Sequence, residues 1–290
     1  MNFSDFIYKY FPVSVFKFIR KQYYTINRRI YPPMDKDEFW RLLTEKLGIE
    51  KGMVVYIHSS VDKLNVNFSA FELLELLIKA VGKEGTLLFP CWHYKGRAED
   101  FLSQTGAVFN VKKSPTVMGL LPELARRHKN AFRSLHPTAS TVALGKLAEE
   151  FTKEHHFDLY PNGEKSPLYK IIHHNGKIIG LGEKTVSLSF VHVVEDIMKE
   201  KFPVKTLSDK PVTCKVVNYS GKEQEISTYI PHKNISNRDI PGFIKKNISK
   251  NAVRCIKYKG SNFFSITPRV LFDEMLSLAE KGITIYGTSK

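Results

Sequence analysis

Three clusters of polar side chains in this sequence combine residue types that could do acid–base chemistry or hold an anionic group. The best defined is His192 with Glu195, because residues three apart lie on the same face of a helix. A carboxylate at that distance can orient an imidazole and stabilise its charged form, which is the arrangement of a general base with an orienting partner. The spacing alone is a weak signal, since most such pairs are surface hydrogen bonds.

The other two clusters lie earlier in the chain. His58, Ser59 and Ser60 directly follow the apolar segment 53–57, which predicts a buried strand. Parallel sheets bind ligands at the carboxyl ends of their strands. The second cluster combines a cation, hydroxyls and an imidazole, which suit contacts to phosphate or amide groups. Its candidate residues are Arg133, Ser134, His136 and Ser140. For both clusters the alternative is a capped turn with no ligand.

The elements that must position these residues follow from the hydrophobic pattern. Apolar runs at 53–57 and 85–90 flank a predicted helix at 69–82, which indicates a strand–helix–strand unit with parallel strands. Residues 94–116 have no clear period and predict a long loop. The sequence predicts an α/β fold, with a central, largely parallel or mixed β-sheet flanked by helices and a C-terminal β-hairpin region. The remaining predicted elements are helices at 37–48, 117–128, 145–155, 189–200 and 268–281, strands at 177–181 and 283–286, and a hairpin at 211–230.

The first 33 residues differ from the rest, because aromatic side chains alternate there with basic ones. No uninterrupted apolar run approaches the ~20 residues that a membrane-spanning helix needs. One interpretation is an N-terminal arm that packs on the body or on a second subunit, which leaves a homodimer open. The other is peripheral membrane contact through residues 3–29. We expect an arm over 1–33 and one domain over 34–290.

Composition narrows the class of protein. With 42% hydrophobic and 25% charged residues, the chain of 290 residues has the composition of a folded globular protein. Cys91, Cys214 and Cys255 lie far apart without a CxxC pair, which favours a reducing, cytoplasmic compartment and argues against a cysteine-rich zinc site. We expect no metal. The net charge of +15 favours acidic partners such as nucleic acid, an anionic membrane or a phosphorylated ligand.

Taken together, the clusters and strands resemble the aminoglycoside 3-N-acetyltransferase family, acetyl-CoA enzymes of the antibiotic N-acetyltransferase type. Each matching segment is weak alone, but their shared order over residues 37–285 is specific. Ser189 stands where the family has threonine, which keeps the hydroxyl. The matching segments are Val55–Ser60, Gly85–Pro90, Ser114–Glu123, Arg133–Ser140, Ser166–Leu168, Leu181–Gly182 and Ser189–Glu195.

The resemblance implies an antibiotic N-acetyltransferase-like fold over 34–290 and direct acetyl transfer from acetyl-CoA to a primary amine. It implies that His192 takes the proton of the attacking amine and that Glu195 orients His192. A hydroxyl such as that of Ser189 or Ser59 would stabilise the oxyanion. On the resemblance and the chemical type, the acetyl-CoA side is assigned to His58, Ser59, Ser60, Arg133, Ser134, His136 and Ser140.

The charge of the chain bears on the acceptor. Aminoglycosides carry several positive charges, and a protein at +15 repels them unless its cleft is locally acidic. We therefore expect N-acetylation of an anionic amino sugar, linked to a nucleotide or lipid, for surface polysaccharide biosynthesis at the inner face of the membrane. One alternative is an aminoglycoside 3-N-acetyltransferase that confers antibiotic resistance. A second is a non-catalytic basic module that binds nucleic acid or membrane. We expect no nucleic-acid partner, since aromatic and basic residues alternate only in the arm.

Overall fold

The computed structural model describes residues 29–288 except 105, 233, 234, 236 and 237, together with residues 22 and 25. Most of the predicted arm over 1–33 lies outside the described residues, so its contact with a membrane or a second subunit stays a prediction. In the part of the chain that the structure describes, none of the helices is both long enough and apolar enough to cross a bilayer.

The core of the fold is a seven-stranded sheet with the strand order β4-β5-β2-β1-β6-β10-β9. Strand β1 pairs in parallel with β2 and β6, and the outer strands are antiparallel to their neighbours. A smaller sheet has the order β3-β7-β8. The mixed sheet confirms the predicted fold class. The strands are β1 (Val54–Ser59), β2 (Thr86–Pro90), β3 (Val108–Asn110), β4 (Phe132–Arg133), β5 (Thr141–Gly145), β6 (Gly176–Leu181), β7 (Val212–Val217), β8 (Glu223–Thr228), β9 (Val253–Tyr258), β10 (Ser261–Ile266), β11 (Ile283–Thr284) and β12 (Gly287–Thr288).

Helices cover both faces of the large sheet. Successive residues of β1 alternate between two apolar clusters, as the two-residue period of a strand requires. Helices α1, α2 and α4 contribute to the cluster on one face, and α5, α7, α8 and α9 to the cluster on the other. The helices are α1 (Lys36–Arg41), α2 (Ala70–Val81), α3 (Ala98–Leu102), α4 (Leu120–Arg127), α5 (Ala148–Thr152), α6 (Pro167–Lys170), α7 (Val191–Met198), α8 (Ile240–Asn247) and α9 (Pro268–Glu280).

The predicted strand–helix–strand unit is confirmed as β1-α2-β2. Ser69 accepts a hydrogen bond from the Glu72 backbone N–H, and the Glu72 carboxylate accepts one from the Ser69 N–H, which forms a capping box. Gly82 ends α2 with φ +67°, a conformation that favours glycine. The unit ends β1 at Ser59, so the strand delivers His58 and Ser59 to the carboxyl edge of the sheet.

Four local predictions needed correction. Residues 94–116 contain α3 and β3, because Val108 pairs with Lys215 of β7, a contact that local pattern does not reveal. The predicted helix at 145–155 is the shorter α5, preceded by β5. A longer helix was also predicted at 37–48, but α1 passes into a π-helical turn over Leu42–Lys46. Strands β9 and β10 were missed, because exposed polar and basic residues dominate edge strand β9. The hairpin over 211–230 is confirmed as β7 and β8.

One glycine sets the surroundings of His58 in the sheet. Gly180 of β6 lies beside both His58 of β1 and Phe264 of β10. A Cβ atom added at Gly180 would come 2.2 Å from the Phe264 ring. The ring centroids of Phe264 and His58 are 6.0 Å apart, so the space that glycine leaves is filled by the phenylalanine that borders His58.

We therefore expect Gly180→Ala to lower the free energy of unfolding by ~1–3 kcal/mol through overpacking. Urea denaturation measures this directly. In the Phe264→Leu background the same change should cost clearly less, since the clashing ring atoms are gone. Equal costs in both backgrounds would contradict the assigned clash.

Candidate active site

The candidate base and its orienting partner lie on the first turns of α7. His192 Nδ1 is 3.0 Å from Glu195 Oε2, as the three-residue spacing predicts for a helix. Val191 and Val194 of the same helix point into the core, which fixes the rotation of α7. The His192 side chain is 22% exposed and that of Glu195 only 4%, so the imidazole borders solvent while its carboxylate partner is buried.

The contacts of His192 define its tautomer. Arg238 Nη1 lies 3.1 Å from His192 Nε2. A guanidinium can only donate, so Nε2 must be the unprotonated acceptor and Nδ1 must carry the proton that faces Glu195. Burial lowers the pKa of His192, but the Glu195 carboxylate outweighs it and raises the pKa above its ordinary value; the positive charge of Arg238 acts in the opposite direction.

Two further groups fix the carboxylates of α7. Tyr286 donates its hydroxyl to Glu195 Oε1 at 3.0 Å, on the carboxylate oxygen that does not face His192. The next residue, Asp196, accepts hydrogen bonds at one oxygen from Asn162 N and Nδ2, at 2.7 and 3.0 Å. Burial raises the pKa of Asp196 to about 7, although the Asn162 donors act against that shift. These contacts anchor α7 to the loop at 162 and to the chain near 286.

His58, Ser59 and Ser60 line a cavity of about 570 Å³ at the carboxyl edge of the sheet. Part of its opposite wall is the first turn of α4 with the residues before it. The two acidic side chains in the lining are Asp62 and Glu183, and Lys63 pairs with Glu183 at 2.8 Å. The lining residues are His58, Ser59, Ser60, Val61, Asp62, Pro90, Val117, Met118, Gly119, Leu120, Glu183 and Ser187.

Two residues of the cavity lining carry buried polar atoms without a hydrogen-bond partner, His58 Nε2 and Ser59 Oγ. Ser189 Oγ lies outside this lining and interacts with the buried Tyr56 side chain. Burial lowers the pKa of His58 to about 4, so its imidazole is neutral at physiological pH. A buried polar atom without a partner costs about 1–3 kcal/mol, and ligand binding can recover that cost. The residues at this cavity therefore suit a ligand with its own hydrogen-bonding groups.

A short segment joins the cavity to His192. Ser187 lines the cavity, and the His192 backbone N–H donates to the Ser189 carbonyl at 3.1 Å, at the start of α7. The Tyr56 ring packs 5.3 Å from that of His58 and belongs to the same apolar cluster as Phe190. His192 does not itself line the cavity. Residues 187–192 connect the cavity lining at Ser187 to His192 on α7.

The predicted residues of the 133–140 stretch occupy a different place. Arg133 donates to the carbonyls of Ser114, at 2.6 Å, and Cys91, and Ser140 donates to the same Cys91 carbonyl at 2.6 Å. Cys91 directly follows Pro90, which lines the cavity. Arg133 and Ser140 therefore brace the cavity wall, in that their hydrogen bonds hold the backbone next to a lining residue. Arg133 and Ser140 are buried and bonded to protein atoms.

Ser134 and His136 form a second buried group. The Ser134 hydroxyl accepts from Thr141 N and contacts His155 Nδ1, both at 3.0 Å. His136 Nδ1 accepts from Ala139 N at 3.1 Å, and its ring stacks on that of His155 at 4.5 Å. The structure does not bring these two side chains to the cavity that His58 lines, and their contact with acetyl-CoA stays a prediction.

Sequence reasoning missed four residues of the site. Arg238 and Tyr286 touch the pair on α7 but lie 46 and 91 residues away from the side chains they contact. No local motif surrounds either one, so only the folded chain reveals them. Asp62 and Glu183 follow closely after the ends of β1 and β6. That position at the carboxyl edge of the sheet was the sequence feature that could have predicted them as lining residues.

The pKa of His192 tests the geometry of the pair. Because the Glu195 carboxylate raises that pKa against burial, Glu195→Gln should lower it, and the imidazole should lose its proton at a lower pH than in the unaltered protein. NMR titration of labelled histidines measures the shift. An unchanged pKa would show that the two side chains do not interact in solution.

Arg238→Ala provides the opposite control in the same titration. Removing the nearby positive charge should raise the pKa of His192, since Arg238 disfavours the imidazolium. The two variants thus move one signal in opposite directions, which a general loosening of the fold would not do.

Comparison with known proteins places this site in a family. A family model described as aminoglycoside 3-N-acetyltransferase matches residues 56–277. The chain is 30% identical over 172 residues to aminoglycoside N(3)-acetyltransferase IX of Micromonospora chalcea, covering 54% of this chain and 61% of that protein. It is 31% identical over 163 residues to aminoglycoside N(3)-acetyltransferase III of Serratia marcescens, covering 52% and 60%. These matches span about three fifths of the relatives' length.

Solved structures share the fold. The chain resembles aminoglycoside acetyltransferase AAC(3)-Xa with a TM-score of 0.73 and 21% identity, over 90% of this chain and 98% of that one. It resembles AAC-IIIb in a binary complex with CoASH with a TM-score of 0.70 and 22% identity, over 89% and 99%. The family model covers most of the sheet and both residues of the His192–Glu195 pair. The chain belongs to the aminoglycoside 3-N-acetyltransferase family.

Proposed function

We propose that this protein transfers an acetyl group from acetyl-CoA to an amine of an aminoglycoside-type amino sugar. The observation that carries the proposal is the His192–Glu195 pair, in which Nδ1 faces the carboxylate and Nε2 faces Arg238, on an imidazole that borders solvent. The relatives named above are aminoglycoside acetyltransferases, and they favour this acceptor over the expected anionic sugar for surface polysaccharide. The relatives give no support to an acceptor for surface polysaccharide, and we therefore propose the alternative, an aminoglycoside acceptor.

The reaction needs a neutral amine and an acceptor for its proton. The amine nitrogen attacks the thioester carbonyl, a C–N bond forms, and the C–S bond breaks with its electron pair leaving on the CoA sulfur. His192 Nε2 takes the proton that the amine loses, and this proton neutralises the leaving thiolate. Glu195 stabilises the imidazolium formed in between. Because Arg238 contacts the same lone pair, the amine must displace that contact to reach Nε2.

The cavity beside β1 supplies groups for acetyl-CoA. His58 Nε2 and Ser59 Oγ are buried without partners, and Ser60 lines the same cavity. We assign these residues to the co-substrate. Ser189 Oγ is buried beside the Tyr56 side chain, three residues before His192, and we assign its hydroxyl to the developing oxyanion. Arg133 and Ser140 act on this site through the cavity wall that they brace.

Local charge reconciles a basic chain with a cationic acceptor. The chain carries +15, yet Asp62 and Glu183 line the cavity and no basic side chain does so among the described residues. Lys63 pairs with Glu183, and Ser60 Oγ donates to Asp62 Oδ1 at 3.0 Å. At short range the nearest charges decide which ligand binds, while distant surface charges are screened by salt.

The free cysteines support a cytoplasmic site of action. Cys91 and Cys214 are buried as thiols and Cys255 is exposed as one. Such exposed thiols persist in reducing compartments. We therefore place the protein with its co-substrate in the cytoplasm.

The decisive experiment compares acceptors and tests the base. Purified protein with acetyl-CoA should acetylate an aminoglycoside faster than a nucleotide-linked amino sugar, as measured by thiol release and mass spectrometry. His192→Asn should lower kcat by about 10²–10⁴-fold, because the proton acceptor is lost. Its dissociation constant for CoA should stay within about twofold, since Nε2 binds no part of CoA in this mechanism.

His173→Asn is the matched control, because His173 is also an exposed imidazole contacted by an arginine, Arg269 at 3.2 Å. It should leave turnover unchanged. Acetylation of the nucleotide-linked sugar alone, or equal activity of His192→Asn and His173→Asn, would contradict the proposal.

Asp62→Asn tests the charge of the cavity. We expect the KM for a cationic aminoglycoside to rise about 3–10-fold, because an attractive charge is removed, and the KM for the anionic acetyl-CoA to fall, because the same cavity receives it. Steady-state kinetics at low and high salt measure the effect, which should shrink at high salt. Asp37→Asn, on the exposed face of α1, is the control. A lower KM for the acceptor in Asp62→Asn would instead indicate an anionic acceptor.

A further inference from the structure

The C-terminal hairpin reaches the candidate active site through one hydroxyl. Tyr286, between β11 and β12, donates to Glu195 Oε1 at 3.0 Å, while Glu195 Oε2 lies 3.0 Å from His192 Nδ1. Each oxygen of this buried carboxylate therefore has its own partner. The family match ends at residue 277, so the hydroxyl comes from a part of the chain outside it.

The hairpin is held rigidly enough to place that hydroxyl. Tyr286 N donates to Thr284 Oγ1, and Thr284 Oγ1 donates to the Gly287 carbonyl, both at 3.2 Å. Gly287 has φ +113°, which favours glycine at this turn. Ile285 packs in the cluster that contains Val191 and Val194 of α7.

The same hairpin is joined to the segment that contacts the other nitrogen of His192. The Asp239 backbone N–H donates to the Ile285 carbonyl at 2.9 Å, and Arg238 Nη1 lies 3.1 Å from His192 Nε2. The hairpin therefore reaches the pair in two ways. Tyr286 contacts the Glu195 carboxylate directly. The backbone hydrogen bond to Asp239 holds the residue next to Arg238, and Arg238 contacts the His192 imidazole.

A carboxylate with a single partner can rotate, because the terminal torsion of glutamate has a broad, nearly two-fold profile. The Tyr286 hydroxyl fixes the plane of the Glu195 carboxylate, and this keeps Oε2 aimed at Nδ1. The proton then stays on Nδ1, and the lone pair that must accept the amine proton stays on Nε2. Burial raises the pKa of Tyr286, and the Glu195 charge adds to that rise, so the hydroxyl remains a donor at physiological pH.

We propose that Tyr286 is a positioning residue for acetyl transfer: its hydroxyl holds Glu195 so that His192 keeps its proton on Nδ1 and its base on Nε2. The effect on rate rests on the proposed function, whereas the effect on the tautomer does not. Tyr286 acts on the chemistry through Glu195.

Tyr286→Phe tests this with little change in packing, because only the hydroxyl is removed. The matched control is Tyr258→Phe, which removes a tyrosine–carboxylate hydrogen bond to Glu38 on the far side of the sheet. We expect Tyr286→Phe to lower kcat about tenfold while the KM values for both substrates stay within twofold. Tyr258→Phe should leave kcat unchanged.

The tautomer of His192 is read separately by NMR of ¹⁵N-labelled histidine, at a pH above the His192 pKa. Because Arg238 also keeps a lone pair on Nε2, the comparison is made in the Arg238→Ala background. There Tyr258→Phe should show one tautomer with the proton on Nδ1, and Tyr286→Phe a mixture of both. In a Glu195→Ala background, Tyr286→Phe should cause no further change, because no acceptor for the Tyr286 hydroxyl remains at residue 195.

Each outcome decides the matter. An unchanged tautomer in Tyr286→Phe would overturn the proposal, with or without a loss of rate, since the hydroxyl would then not control the proton on Nδ1. If the unaltered protein acetylates no amine, the proposed function fails, yet the tautomer still shows whether Tyr286 positions the pair.

Discussion

The site depends on one hydrogen bond, from His192 Nδ1–H to a carboxylate that α7 buries. That bond decides which nitrogen carries the proton, and therefore which nitrogen can accept one. The same contact stabilises the imidazolium against the cost of burial, and this raises the pKa of His192. One hydrogen bond therefore affects both the direction of proton transfer and the pKa of the base. The surrounding contacts, from Asn162 at Asp196 to Tyr286 at Glu195, keep this part of α7 in place.

The mixed sheet explains how distant segments reach this point. Parallel strands β1 and β6 end at the same edge, so Glu183 meets His58 and Ser59 around one cavity although it lies more than a hundred residues further along the chain. Gly182 continues from β6 with φ +70°, and a Cβ atom there would come 2.4 Å from the Ser60 carbonyl. The close approach of the two strand ends thus requires glycine, and it shapes the cavity wall.

Net charge is a weak guide to the acceptor for a physical reason. A total of +15 is a property of the whole surface, and charges beyond about 10 Å are largely screened at physiological salt. The lining of the cavity, where Asp62 and Glu183 lie, has the opposite sign from the chain. The charge of the whole chain therefore says little about the ligand of one cavity.

The sequence by itself determined what depends on neighbours along the chain: the β1-α2-β2 unit, the hairpin of β7 and β8, and the pairing of His192 with Glu195 through one helical turn. Tertiary structure alone decided that Arg133 and Ser140 brace a wall, and that Arg238 and Tyr286 reach the pair on α7. The reason is that hydrogen bonds and burial act through space. A motif records residue types and spacing, but which polar groups find partners is settled only when the chain has folded.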